Sequence, residues 1–358
     1  MRGEVIYLYA FDVANEIATS RVRDVLSCMP IPYEVKTDHT YPKDVPLYQP
    51  LTFQPSHVNE RMLGRSVRIV IRIFEVGVVN VAMHVPFAAQ SIEELQAYHK
   101  TGLDSGQTRD ELARSLCQEV CQCIQDAMIR GAEPSAPEAY TVFCLTELCG
   151  EMDSLAWFHQ HRRDIAGLLS EAPATTLSEL QVEESVRIHR SFAKGDLTII
   201  DWDASLIVEL DGCADDVVYI LELANLQLEE FRVMDRRLDQ HLERAYHDME
   251  RSRPFLGIPS SVLQWLRRFR VDATKLADEV THITKFLGDW HLARIYLGAA
   301  ERFHLQEWQK SISERLSQLD EVYQVLQSEV YERRMLWLEI AILICFLVDL
   351  YALFFWKR

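Results

Sequence analysis

The stretch MLWLEIAILICFLVDLYALFFW, residues Met335–Trp356, is the most apolar run in the chain, and the rest is read outward from it. At 1.5 Å per residue it makes about 33 Å of helix, enough for a hydrocarbon core of roughly 30 Å. Arg333 and Arg334 precede it and Lys357 and Arg358 follow it, with Trp337 and Trp356 near its ends at headgroup level. This predicts a C-terminal transmembrane helix over 335–356. The apolar run at the other end, Val5–Phe11, is too short for a signal segment and is closed by Asp12, so it reads as a strand. Together these predict a tail-anchored topology with the bulk of the chain in the cytoplasm. Glu339 and Asp349 interrupt the span. An ionised acid near mid-span costs about 2.5–3.5 kcal/mol, so each is expected to be protonated or to meet another helix of an oligomer.

Upstream, apolar residues keep a heptad spacing: Ile312, Leu316, Leu319, Tyr323, Leu326 and Val330. Gly298 is the last helix breaker, so one helix is predicted from about Ala299 into the span. An earlier helix carries Val217, Leu221, Ala224, Leu228, Phe231, Leu238, Leu242, Ala245 and Met249, with Asp235 in a polar core slot. Pro254, Gly257 and Pro259 end it, and Ser260 is a good N-cap for the next. That one carries Leu266, Phe269, Ala273, Leu276, Val280, Ile283, Leu287 and Trp290. Residues 213–334 therefore read as an antiparallel hairpin plus a coiled-coil stalk. Its expected core includes Leu228, Phe231, Leu238, Leu242, Leu276, Val280, Ile283, Leu316, Leu319 and Leu326. A hairpin leaves the third helix needing a partner, within the chain or in another copy.

Residues 1–212 alternate strand and helix signals and predict an α+β head, either one domain or two split near 131–138. Strands are expected at Val5–Phe11, Val67–Phe74, Val78–Val85, Tyr140–Leu148, Leu197–Asp201 and Ser205–Leu210. Helices are expected at Asn15–Ser27, Asp110–Arg130, Ser154–Leu169 and Leu177–Arg190, and an irregular Pro-rich connection at Tyr33–Pro55.

Composition excludes more than it assigns. With 48% hydrophobic and 25% charged residues the chain folds. A net charge of −17 disfavours direct nucleic-acid binding. The eight scattered Cys read as reduced thiols. Phosphate-loop, dinucleotide, zinc-protease and nucleophile-elbow patterns are all missing, and no cofactor or metal is expected. Four weaker features remain. Cys117 and Cys121 share a helix face but read as buried thiols. His159 and His161 beside Arg162 and Arg163 read as a solvated face. Arg68 and Arg72 share one face of a strand, where they could meet an acidic partner. Asp201 and Asp203 flank Trp202; if the strand continues, both carboxylates point to one side, at a spacing that could hold a divalent cation or do acid–base work.

The segment Asp196-Leu197-Thr198-Ile199-Ile200-Asp201-Trp202-Asp203 leads into Leu221-Glu222-Leu223-Ala224-Asn225-Leu226-Gln227-Leu228-Glu229-Glu230-Phe231-Arg232, then into long helices and an acid-bearing terminal apolar helix. Over about residues 130–356 this order resembles the required-for-meiotic-nuclear-division (Rmd-type) family. The resemblance implies a membrane protein that self-associates. Mitochondrial relatives sit in the inner membrane and support organellar translation, without an established enzymatic activity, so no catalytic residue carries over. The acidic balance and the absence of transit-peptide character favour a bacterial member.

The sequence thus leads to a non-enzymatic, tail-anchored protein that self-assembles through its stalk and presents the α+β head as a scaffold or tether to a protein partner. Its expected place is the bacterial inner membrane, or alternatively an organellar inner membrane. The competing readings are a membrane-tethered, metal-assisted hydrolase using Asp201 and Asp203, and a translation or ribosome tether.

Overall fold

Val5–Phe11 alternates Val, Tyr, Tyr and Phe on one side with Ile, Leu and Ala on the other, so the strand it forms is apolar on both faces and belongs inside a layered domain. In the computed structural model, which describes residues 1–25, 50–55, 57–134, 136–148, 150, 153–210, 213–250, 260–286 and 289–355, it is the central strand β1 (Arg2–Asp12). There follow β2 (Glu16–Ile17), α1 (Thr19–Val25), β3 (Leu51–Phe53), β4 (Arg61–Met62), β5 (Arg65–Ser66), β6 (Arg68–Ile73) and β7 (Val78–Ala88). Next come α2 (Ala97–Lys100), α3 (Arg109–Cys123), β8 (Met128–Ile129), β9 (Glu138–Glu147), α4 (Ser154–Leu169) and α5 (Glu179–Ser185). Strands β10 (Ile188–Arg190), β11 (Asp196–Ile200) and β12 (Ala204–Glu209) lead into α6 (Asp215–Glu250), α7 (Ser260–Phe286), α8 (Trp290–Arg302) and α9 (Leu305–Phe355).

The main sheet is mixed and has eight strands in the order β10-β11-β12-β9-β1-β7-β6-β3. Among the described residues only the β12–β9 pair of this sheet is parallel. The β6–β7 hairpin needs Gly77: its φ is +98°, and a Cβ there would stand 1.9 Å from the Ala14 carbonyl oxygen. Helix ends follow their caps. Thr108 and Glu111 form a reciprocal box at the start of α3, and Asp153 accepts from the amides of Leu155 and Ala156 at the start of α4.

One face of the sheet, with Tyr7, Tyr9, Phe11, Val81, Met83 and Phe143, forms the principal core with α3 and α4. The other carries Ile6, Leu8, Ala82, Tyr140 and Ile200 and is covered by the first half of α6 and by α8. The Tyr140 and Phe303 rings meet edge-on at 5.1 Å. Gly298 lets α8 lie on β10 and β11, since a Cβ there would be 2.9 Å from Ile188. Residues 217–229 of α6 are buried on every side, with Glu222, Asn225, Gln227 and Glu229 among them.

The chain divides into two units, Met1–Phe231 with Glu279–Gln306, and Arg232–Asp278 with Glu307–Arg358. The second is helical. Val233, Leu238, Leu266, Phe269, Leu276, Ile312, Leu316, Leu319 and Tyr323 are buried in it. The His241 ring stacks on Trp265 at 3.5 Å, Arg315 pairs with Asp235 at 3.1 Å and with Asp239, and Arg270 pairs with Asp320. The side chains of Val280, Ile283 and Leu326 lie outside the described residues, as does the Pro254–Pro259 connection.

Several expectations are corrected. Among the described residues no helix is long and apolar enough to cross a membrane. Glu339 and Asp349 interrupt the apolar end of α9. The transmembrane helix over 335–356, the tail anchor and the inner-membrane placement, bacterial or organellar, are therefore withdrawn. The fold is α+β with a large mixed sheet and long helices. The helix expected to run unbroken from Ala299 instead stops at Phe303, and His304 turns left-handed at φ +53°. Phe303 and Leu305, both fully buried, draw the chain inward there. The helix expected to Arg130 ends at Cys123, and that expected to Arg190 ends at Ser185, where the chain joins the sheet edge as β10. Leu228 and Phe231 are buried in the α/β unit.

Candidate functional site

The Asp201–Asp203 pair depends on the strand continuing, and it does not. β11 ends at Ile200, β12 starts at Ala204, and the Asp201 amide donates to the Ala204 carbonyl across a tight turn. Asp203 is exposed, while Asp201 is buried. Asp201 Oδ1 accepts from Arg302 Nε at 2.9 Å, from Arg302 Nη2 and from the Trp202 amide at 2.8 Å. Arg302 Nη1 also donates to Glu184 at 2.6 Å. Burial by itself would lower the Arg302 guanidinium, but its bonds to Asp201 and Glu184 raise it. This carboxylate closes an ion pair at the end of α8. Among the described residues no group of three or more His, Cys, Asp or Glu could hold a metal ion.

The thiols and histidines have local explanations. Cys117 is fully buried and hydrogen-bonded to Cys121, an arrangement that, with burial, pushes its thiol far up. His161 packs on Trp157 at 5.3 Å, and Arg163 donates to the carbonyls of Ala174 and Leu177 and to Glu179. Arg163 is thereby committed to the segment that follows its own helix.

The strand arginines find acids. Arg68 and Arg72 point from β6 to the sheet face under α6. Arg72 Nη1 donates to Glu222 Oε2, and Asn80 Nδ2 donates to Glu222 Oε1. The Arg72 side chain is 10% exposed and that of Glu222 1%, so this ion pair is buried and fixes α6 in register on β6 and β7. Asn225 of α6 adds a bond to the Glu138 carbonyl at 3.3 Å. Along the same strands, Arg68 Nη2 lies 2.9 Å from His84 Nδ1 and 3.4 Å from Glu4 Oε2, and His84 Nδ1 lies 3.2 Å from Glu4 Oε1. Burial by itself would raise the Glu4 carboxyl; His84 and Arg68 outweigh it and hold it below the usual carboxylate range. One nitrogen, His84 Nδ1, faces a donor and a carboxylate at once, and it satisfies only one of them in a given protonation state.

Glu222, Asn80, Glu4 and His84 were not legible as a site in advance. The available signal was Glu222 inside LELANLQL, an acid among residues that a fully enclosed helix must bury.

A further feature is the bare part of α9. Met335, Leu336, Leu338, Ile340, Ile342, Leu343, Ile344, Phe346, Leu347, Val348 and Leu350 are all exposed by 41% or more. Glu339 and Asp349 are exposed as well. A contiguous apolar surface of this kind marks an interaction site.

Residues 2–215 match the family model described as the N-terminal domain of uncharacterized protein MJ0711. The match ends where α6 begins. The uncharacterized protein MJ0711 of Methanocaldococcus jannaschii is 22% identical over 213 residues, which cover 60% of this chain and 65% of that protein. The aligned part of the chain therefore spans somewhat under two thirds of the relative it matches. No solved structure matches. The chain belongs to the family of the uncharacterized protein MJ0711 N-terminal domain.

Proposed function

We propose that this protein is a non-enzymatic, self-assembling scaffold: its helical unit joins copies of the chain, and its α/β unit presents the surface that a protein partner reads. The observation that carries this reading is the exposed apolar length of α9, which a lone chain leaves in water. One further feature supports it: the polar groups of the α/β unit described above are tied to one another in ion pairs and hydrogen bonds that hold elements together. Light scattering on the full-length chain, with and without mild nonionic detergent, tests the proposal. The expected mass is a multiple of 41.5 kDa, and a strict monomer across the concentration range refutes it.

A further inference from the structure

The α/β unit keeps two large aromatic rings in water where they touch each other. Phe192, in the turn between β10 and β11, and Trp290, the first residue of α8, are 65% and 55% exposed, and their rings meet edge-on at 5.6 Å. Heptad spacing expects Trp290 in a core, and it stands outside one. Both rings are held in place. Asp196 Oδ1 accepts from the amides of Phe192 and Ala193, each at 2.8 Å, and from Ser191 Oγ at 3.1 Å, which fixes the turn. Asp289 caps α8 by accepting from the amides of His291 and Leu292 at 2.7 and 3.4 Å. His291 ties the two sides together: its ring lies 5.5 Å from that of Phe192, and its Nε2 lies 3.6 Å from Asp196 Oδ2. Aromatic side chains already fixed in position lose little entropy when a partner covers them, which is why such groups anchor protein interfaces.

The charge around the rings says what covers them. The Arg294 guanidinium carbon lies 5.3 Å over the Trp290 ring, and exposed Lys194 follows Phe192 by two residues. Among the described residues neither cation is paired with an acid. The acids nearby are engaged in holding the backbone: Asp196 closes the turn, Asp289 caps α8, and Asp153 caps α4, whose Ser154 donates to the Lys194 carbonyl. In a chain of net charge −17, bare aromatic rings flanked by two unpaired cations are matched by an acidic surface. We propose that Phe192, Trp290, Lys194 and Arg294 form a docking platform for an acidic segment of another protein, whose carboxylates meet the two cations and whose apolar side chain covers the rings. This rests on the reading of the α/β unit as the part that a protein partner reads, and it names the place and the chemistry.

The test is binding of the full-length chain to the acidic copolymer poly(Glu,Tyr), followed by biolayer interferometry, with poly(Glu) and phosphatidylserine vesicles beside it. The copolymer is expected to bind, to bind more weakly as salt rises, and to bind more tightly than poly(Glu), which lacks the ring. Phe192→Ala/Trp290→Ala and, separately, Lys194→Glu/Arg294→Glu are each expected to weaken binding about ten-fold or more, with circular dichroism and light-scattering mass unchanged. The control is Lys100→Glu: its neighbour His99 meets Leu168 at the other end of α4, about 20 Å from Ser154. It is expected to leave binding nearly unchanged. A copolymer that does not bind, platform variants that bind as the wild type does, an equal loss in Lys100→Glu, or phosphatidylserine vesicles held through the same four residues overturns the platform. None of these results touches the self-assembly reading, which stands or falls on the mass of the chain alone.

Discussion

Replacing Glu222 with Gln removes one charge and almost no volume from the interface between α6 and the sheet. It removes the charge that Glu222 sets against the Arg72 guanidinium, which is 10% exposed. Breaking a buried pair by removing one partner costs about 3–5 kcal/mol. The Gln carbonyl still accepts one bond from Arg72 or Asn80, so the expected loss is near the lower end, about 3 kcal/mol. For a unit of this size that lowers Tm by roughly 6–12 °C. The test is a double-mutant cycle with Arg72→Met, followed by thermal and urea unfolding in circular dichroism. In the Met background the cation is gone, so Glu222→Gln is expected to cost less than about 1 kcal/mol, giving a coupling of about 2 kcal/mol. Hydrogen exchange is expected to show the loss in the amides of residues 217–229 first. If Glu222→Gln shifts stability by less than about 0.5 kcal/mol, or the two substitutions are additive, the ion pair does not hold α6 on the sheet.

Three further outcomes follow from the same contacts. The Glu4 carboxyl is held below its usual range, so its contribution to stability is full above the ordinary carboxylate value of 4.5 and is lost as pH falls through the lower folded value; Glu4→Gln is expected to flatten the acid limb of a stability–pH curve below about pH 4.5, and an unchanged limb contradicts this. Asp201→Asn removes the buried one of the two acids that Arg302 meets, leaving Glu184, and is expected to lower Tm by several degrees equally with and without added Mg2+ or Mn2+; a divalent-ion shift in the wild type that the variant loses would instead revive the hydrolytic reading. Gly77→Ala places a Cβ against the Ala14 carbonyl at positive φ and is expected to destabilise the α/β unit by more than about 2 kcal/mol in urea unfolding, whereas Gly106→Ala, with open space around its Cβ, is expected to cost less.

Much of the α/β unit is legible in the sequence because its signals are local. The β-branched runs Arg68–Ile73 and Val78–Ala88 with Gly77 between them form the hairpin they predict, and the Asp153 cap starts α4 where expected. The helical periodicity of α6 is equally local, but periodicity does not name the surface it meets. Leu228 and Phe231 fit a coiled-coil frame and are instead buried in the α/β unit, since an apolar stripe packs against a sheet as readily as against a helix. The break at His304 has no Gly or Pro to announce it, because it is imposed by the burial of Phe303 and Leu305. Arg68 and Arg72 were legible as two cations on one face; their acids, Glu4 and Glu222, lie 64 and 150 residues away in sequence, and only the fold brings them together. Asp201 and Asp203 failed as a pair because a turn, not a strand, runs through Trp202.

The most direct measurement is sedimentation equilibrium of the full-length chain beside an Ile340→Asp/Leu347→Asp variant. The account predicts a wild-type mass at a multiple of 41.5 kDa and a variant that falls to the monomer with its circular dichroism unchanged. A monomeric wild type, or a variant that keeps the wild-type mass, contradicts it.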